Sequence, residues 1–362
     1  SSAMQFDWPH LPTIPVHDLT QAGDAGMATL AAAEPARMAD LVGIGEATYP
    51  AWLLDFGDRR SQRWLKRQRN PYLGELNRIA ASGLPARGLY MLNLSYEWGC
   101  TTGAGLSPSA DAPHMLRTLD WPLAGLGRNL VVAKLASEHG AWLNLTWPGF
   151  VGSLTGLAPG RFAAAFNQPP MRKRLGWLGP DWLLERLRIG TSRALPPAHL
   201  LRLVFETCAD FAAAKRMLSE TPIAMRAFFV LCGTKPGEIA VIERTETHAY
   251  EHTEEEDSAR CIANHWVAAA LGGRQRSQWS EDRRRVMLAE FAGGSREFSW
   301  LAPPVLNELT RLAAEMEPAS GRLLLQGFEA DGPATRVLRL DCSSDAPESN
   351  QGDHEFDRRR RA

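Results

Sequence analysis

Leu89-Tyr90-Met91-Leu92-Asn93-Leu94 runs toward Gly99-Cys100-Thr101-Thr102-Gly103, and Arg117-Thr118-Leu119-Asp120 follows one hairpin's length later. This stretch divides the sequence into two kinds of pattern. Before it, apolar residues recur at three and four positions over 17–45, 58–68 and 72–82, which predicts helices. Pro71 near the start of the third and Gly83 just past its end are the expected punctuation. After it, 114–119, 129–136, 141–147 and 161–167 are short, partly β-branched or aromatic segments between Gly or Asp turns, which predicts strands. Helices are expected again at 180–189, 197–206 and 209–218, then strands at 226–232 and 238–244. Short segments at 247–252 and 259–264 are followed by helices at 281–292 and 303–316 and strands at 322–328 and 335–341. Strands come in clusters rather than alternating singly with helices, so the class is α+β rather than a doubly wound parallel sheet. The polar end, 343–362, closes on Arg358-Arg359-Arg360-Arg361 and is expected to be disordered.

Composition narrows the function classes. The chain has 362 residues, 44% hydrophobic and 22% charged, with a net charge of -1. That balance gives no global attraction to nucleic acid. No apolar run reaches the roughly 18 residues of a membrane helix. The segment Tyr49-Pro50-Ala51-Trp52-Leu53-Leu54 is a candidate for weak contact with a lipid surface. Cys100, Cys208, Cys232, Cys261 and Cys342 are too few and too scattered for a disulfide framework, and the nine His do not combine with them at metal-ligand spacing, so no metal is expected. The residues after Met4, Gln5-Phe6-Asp7-Trp8-Pro9, do not read as an export signal, and the expected location is cytoplasmic. No dinucleotide, P-loop or zincin motif occurs.

Cys100 is the residue to weigh first. Gly99 before it gives backbone freedom, and small polar residues follow. Read alone, it is a buried structural thiol before it is a nucleophile. Arg117 and Asp120, on the next strand, can both approach a nucleophile at Cys100. An arginine there would favour a thiolate and a carboxylate could hold an ammonium group; read alone, they are also an ordinary surface pair.

Six motifs in order change the weighting. The stretch from Gly74 through Glu97, Gly99-Cys100-Thr101-Thr102, Arg117-Thr118-Leu119-Asp120-Trp121-Pro122, Gly149-Phe150-Val151-Gly152-Ser153-Leu154-Thr155-Gly156, Ala263-Asn264-His265 and Glu281-Asp282-Arg283-Arg284 together resemble the acid ceramidase and N-acylethanolamine acid amidase family, in the choloylglycine hydrolase group of N-terminal-nucleophile hydrolases. The resemblance implies a four-layer αββα sandwich of two antiparallel sheets with a helical N-terminal segment. It implies a mostly helical unit 1–99, a catalytic domain 100–342 and the tail 343–362. It also implies self-cleavage between Gly99 and Cys100, fragments that stay associated, and no cofactor. Cys100 would then be the nucleophile and its freed α-amine the general base, with a pKa of about 7.7–8.0. Arg117 and Asp120 would position amine and thiol, Asn264 and Asn167 would serve the oxyanion, and Arg283, near the start of a helix capped by Ser280, would order the site. The expected substrate is a small N-acyl amide with an apolar acyl chain, met by Gln168, Trp121, Trp147 and Phe150. The chain departs from the family pattern at Thr118, Trp121 and Gln168, where Asn, Tyr and Glu are usual. Acyl transfer through the same thioester, or an uncleaved ligand-binding protein of the same fold, are the competing readings.

Overall fold

The computed structural model describes residues 5–95, 98–108, 112–170, 188–255, 258–273 and 278–342. The first strand, β1 (Val16–Asp18), precedes helices α1 (Gly26–Ala33), α2 (Pro35–Thr48), α3 (Ala51–Arg67), α4 (Leu73–Ala80) and the short α5 (Leu89–Asn93). The single helix expected at 17–45 is therefore a strand, a short 3-10 turn at Gly23–Ala25 and two helices. Residues 16–18 pair with another strand, and Pro35 sits at the first position of α2. Proline lacks the N–H that a continuing helix needs and biases the residue before it away from helical geometry.

The strand-rich part begins with the hairpin β2 (Gly99–Leu106) and β3 (Pro113–Asp120), followed by β4 (Val131–Leu135), β5 (Trp142–Thr146), β6 (Thr155–Ala158) and β7 (Phe162–Asn167). Helices α6 (Pro197–Thr207) and α7 (Phe211–Glu220) lead to β8 (Ala227–Cys232), β9 (Ile239–Arg244), β10 (Ala249–Glu251) and β11 (Arg260–Ile262). Helix α8 (Ser280–Ala292) and strands β12 (Thr310–Glu317), β13 (Arg322–Glu329), β14 (Gly332–Pro333) and β15 (Leu338–Asp341) complete the described chain.

Two sheets result. One runs β1-β4-β5-β6-β7-β8-β9-β10, the other β11-β2-β3-β12-β13-β14 with β15 also on β13. Every pairing is antiparallel except β1 with β4. Strands β2 and β3 pack face to face with β7 and β8, α6 and α7 cover the first sheet, and α8 covers the second over β2 and β11. This is the four-layer αββα sandwich that the family resemblance implied. Because both faces of the central strands are covered, β3, β5, β7 and β8 are buried along their whole lengths.

The helix expected at 303–316 is a strand over its second half. Thr310–Glu317 lies between β3 and β13. Its Leu-Ala-Ala-Glu composition favours a helix, but burial on both faces of a sheet overrides local propensity. The helix expected at 180–189 falls almost wholly outside the described residues, as does the tail 343–362. No helix among the described residues is long and apolar enough to cross a membrane.

The loop after β3 is pressed onto β13. A Cβ on Gly127 would lie 1.8 Å from the Phe328 carbonyl oxygen, whereas one on Gly74 in α4 would meet nothing within 4 Å. Gly127→Ala is therefore expected to lower stability by about 1–3 kcal/mol, while Gly74→Ala should raise it by up to about 1 kcal/mol. Urea unfolding of the two variants beside the wild type checks both signs.

Candidate active site

Strand register decides what meets Cys100. Cys100 pairs with Leu119 and Thr102 with Arg117. Residues directly opposite share a face, and successive residues alternate faces. Cys100, Thr102 and Arg117 thus point between the sheets, while Thr101 and Asp120 point outward beneath α8. Arg117 is fully buried. Its Nε donates to Thr155 Oγ1 at 2.6 Å, its Nη1 to Asn167 Oδ1 at 2.6 Å and Thr102 Oγ1 at 2.8 Å, and its Nη2 to the Phe166 carbonyl at 2.9 Å. The same Nη2 lies 3.6 Å from Cys100 Sγ. Asn167 is fixed in turn, its Nδ2 donating to the carbonyls of Ile262 and Ala263 at 3.2 and 3.1 Å.

The backbone of Cys100 is held from the outer side. Its N–H donates to Asn264 Oδ1 at 2.9 Å, and its carbonyl accepts from Arg283 Nη1 at 2.8 Å. Arg283 Nη1 and Nη2 also donate to Thr101 Oγ1 and to that same Asn264 oxygen. Asn264 Nδ2, expected to face an oxyanion, instead donates to the Gln168 carbonyl at 2.7 Å. Ser280 does not cap α8, whose preceding residue, Trp279, has a left-handed backbone and makes no side-chain cap. The Ser280 hydroxyl accepts from the Asn264 N–H at 2.8 Å and lies 2.7 Å from His265 Nδ1.

Asp120 does not reach the thiol. Three residues from Arg117 on a strand, it faces the opposite side. It accepts from Asn307 Nδ2 and Thr310 Oγ1 at 3.1 and 3.0 Å and stands 3.9 Å from Arg283 Nη1. The pairing of Gly99 with Asp120 still puts its strand position beside the 99–100 peptide. Asn307 and Thr310 carry no sign in the sequence, because their segment reads as helix. Thr102 and Thr155 lie inside quoted motifs, and only the face they share with Arg117 reveals their part.

Burial raises the Cys100 thiol, opposed by Arg117 and, less, by Arg283, with Asp120 adding to the rise. Burial also lifts the Asp120 carboxyl, against the pull of Arg283. The thiol is wholly buried in the uncleaved chain. Close by is a cavity of about 940 Å³ lined by Trp98, Trp121, Trp147, Phe150 and apolar residues of α2 and α3. Trp98 and Trp121, with ring centroids 5.2 Å apart, stand at the end nearest the β2–β3 pair. Gln168 is not in the cavity wall; its Oε1 accepts from the Trp98 N–H at 3.2 Å. Among the described residues no three His, Cys, Asp or Glu side chains converge to hold a metal.

The chain is similar in sequence to known proteins. Residues 188–292 match the family described as acyl-coenzyme A:6-aminopenicillanic acid acyl-transferase. The chain is 28% identical over 206 residues to the N-acylethanolamine-hydrolyzing acid amidase of Oryctolagus cuniculus, covering 54% of this chain and 53% of that one. It is 35% identical over 100 residues to acid ceramidase of Pan troglodytes, 27% of this chain and 24% of that one. The chain is similar to members of the acid ceramidase and N-acylethanolamine acid amidase family. It spans about half the length of the curated acid amidases it matches. Among solved structures, the Caenorhabditis elegans N-acylethanolamine-hydrolyzing acid amidase ortholog aligns at 19% identity with a TM-score of 0.49, over 67% of this chain and 100% of that one. The motif residues converge on the β2–β3 pair, Arg117 and Asn167 between the sheets and Asn264, Arg283 and Asp120 on the outer side.

Because Arg117 favours the thiolate, removing its charge should push the Cys100 thiol higher still. Arg117→Met is expected to move the pH dependence of Cys100 alkylation to higher pH, and Arg117→Lys to move it less, read by peptide mapping of labelled Cys100. An unchanged profile in Arg117→Met would mean that the guanidinium does not act on the sulfur.

Proposed function

We propose that this chain is a self-processing cysteine amidase. The observation that carries the reading is the grip on one residue, Cys100, from two sides. Arg117 approaches the sulfur of Cys100, while Asn264 and Arg283 fix the nitrogen and carbonyl of the same residue. Cys100 Sγ attacks the Gly99 carbonyl carbon. A C–S bond forms, the Gly99–Cys100 C–N bond breaks, and the nitrogen takes a proton. Water then hydrolyses the thioester, leaving a carboxylate on Gly99 and a free α-amine on Cys100.

In the cleaved form that amine is the general base near neutral pH. It takes the thiol proton as sulfur attacks the substrate amide carbonyl, then passes the proton to the departing amine, and water releases the acid from the thioester. Asn167 and Asn264 are the amide side chains near enough to serve the oxyanion; this requires Asn167 Nδ2 to release the Ile262 or Ala263 carbonyl and Asn264 Nδ2 to release the Gln168 carbonyl. Asp120 and Arg283, a buried opposite-charge pair beside the new terminus, orient the ammonium form. The aromatic wall of the cavity, with Trp121, Trp147 and Phe150, suits an apolar acyl chain. The substrate class is thus an N-acyl amine, in keeping with the N-acylethanolamines and ceramides named by the relatives. The family matched at 188–292 is described as an acyl-transferase, which favours a second reading in which an amine acceptor replaces water.

Residues 1–99 would remain after cleavage. Strand β1 pairs with β4, and Arg202 on α6 is buried against Glu75 on α4 at 3.0 Å. Asn93 Nδ2 donates to the Gly149 carbonyl, and the Val151 N–H donates back to Asn93 Oδ1.

Intact-mass analysis tests the proposal. Wild-type protein is expected to yield fragments 1–99 and 100–362 that co-elute under native conditions, whereas Cys100→Ala stays whole. A wild-type chain that stays whole at every pH and takes up no electrophile at Cys100 would favour the ligand-binding reading. With an N-acyl amide panel, a product spectrum that changes on adding a free amine would favour transfer over hydrolysis.

A further inference from the structure

Glu243 on β9 is a fully buried carboxylate that lies outside the motifs above. Its Oε1 accepts from the backbone N–H groups of Val267 and Ala269 at 3.1 and 3.0 Å. Its Oε2 accepts from Ala268 N–H at 2.8 Å, again from Val267 at 3.1 Å, and lies 2.6 Å from His252 Nε2. Three successive backbone donors therefore close on one side chain, an anion nest supplied by the chain itself. The segment they belong to has no regular secondary structure and follows Asn264 directly. Trp266 within it packs edge-on against Phe228, centroids 4.8 Å apart.

Asn264 thus sits between two fixed points. Before it, Ile262 pairs with Thr102 in the sheet. After it, the next anchor through the backbone is the clamp on 267–269. We propose that Glu243 is a positioning residue for the reaction at Cys100: by fixing Val267–Ala269 it sets where Asn264 Oδ1 meets the Cys100 nitrogen. The assignment rests on the self-cleavage reading for its rate effect, but not for its structural effect. A carboxylate can accept all three N–H groups, whereas a glutamine has one acceptor oxygen and turns an NH₂ group toward donors. Glu243→Gln therefore keeps the shape and frees part of the loop.

The test uses the full-length chain in two measurements. Self-cleavage of Glu243→Gln is expected to be slower by about tenfold or more, since small misplacement near a reacting group is costly. The same change made in Asn264→Ala should slow the residual rate by a smaller factor, because the effect passes through Asn264. An unchanged rate in Glu243→Gln, or an equal factor in both backgrounds, would overturn the assignment. Hydrogen exchange, with Cys100→Ala as the common background, reads the structural effect without any turnover. Adding Glu243→Gln there is expected to speed exchange at Val267–Ala269 and also at the backbone amides of positions 264 and 100. Faster exchange confined to Val267–Ala269 would overturn the assignment. If the wild type does not cleave while the exchange change spreads to positions 264 and 100, the self-cleavage reading fails and the positioning stands.

Discussion

Arg117 is a cation enclosed by two sheets, and no carboxylate forms an ion pair with it among the described residues. A buried charge costs several kcal/mol unless its donors are met. Here the compensation comes from hydroxyl, amide and carbonyl oxygens: Thr102 beside it, and Thr155, Phe166 and Asn167 across the gap. These acceptors come from both sheets, so the guanidinium is satisfied only when β2 and β3 face β6 and β7 in one register. Ala163 and Ala165, on the same face of β7 as Asn167, are small enough to let the layers approach. The residual positive charge is left for a neighbouring sulfur.

The pleat of β2 separates two tasks that concern a single residue. The Cys100 side chain enters the layer between the sheets, where Arg117 meets it. Its main-chain groups are handled by Asn264 and Arg283, held by α8 and the segment before it. Asp120 belongs to this second group, with Asn307 and Thr310 on its oxygens. The raised thiol and raised Asp120 carboxyl share one cause, enclosure, and their cationic neighbours partly reverse it.

Much of this was legible because chain order and period carry it. Clustered strand patterns point to the α+β class, and the spacing from Gly99 to Asp120 reads directly as adjacent strands. The face on which Asp120 lies follows from the odd interval to Arg117, although proximity along the strand suggests a shared target. The 303–316 segment misleads because Leu-Ala-Ala-Glu favours a helix in isolation, and its burial between β3 and β13 is a property of the assembled sheet. That misreading hides Asn307 and Thr310. Ser280 carries the sequence sign of a cap, yet its hydroxyl goes to Asn264, a partner sixteen positions away. Glu243 has no local mark at all, since its donors are backbone groups contributed by a loop.

The cavity beside Trp98 and Trp121 has one wall from α2 and α3 and another from residues 121–154. These walls belong to opposite sides of the Gly99–Cys100 bond. In a cleaved protein the cavity becomes a junction between two polypeptides, and any molecule lodged there touches both. By mass action, such an occupant strengthens the union of the two chains in proportion to how tightly it is held. Occupancy and subunit cohesion would then be a single thermodynamic quantity, and an empty site the condition under which the heterodimer is easiest to dissociate.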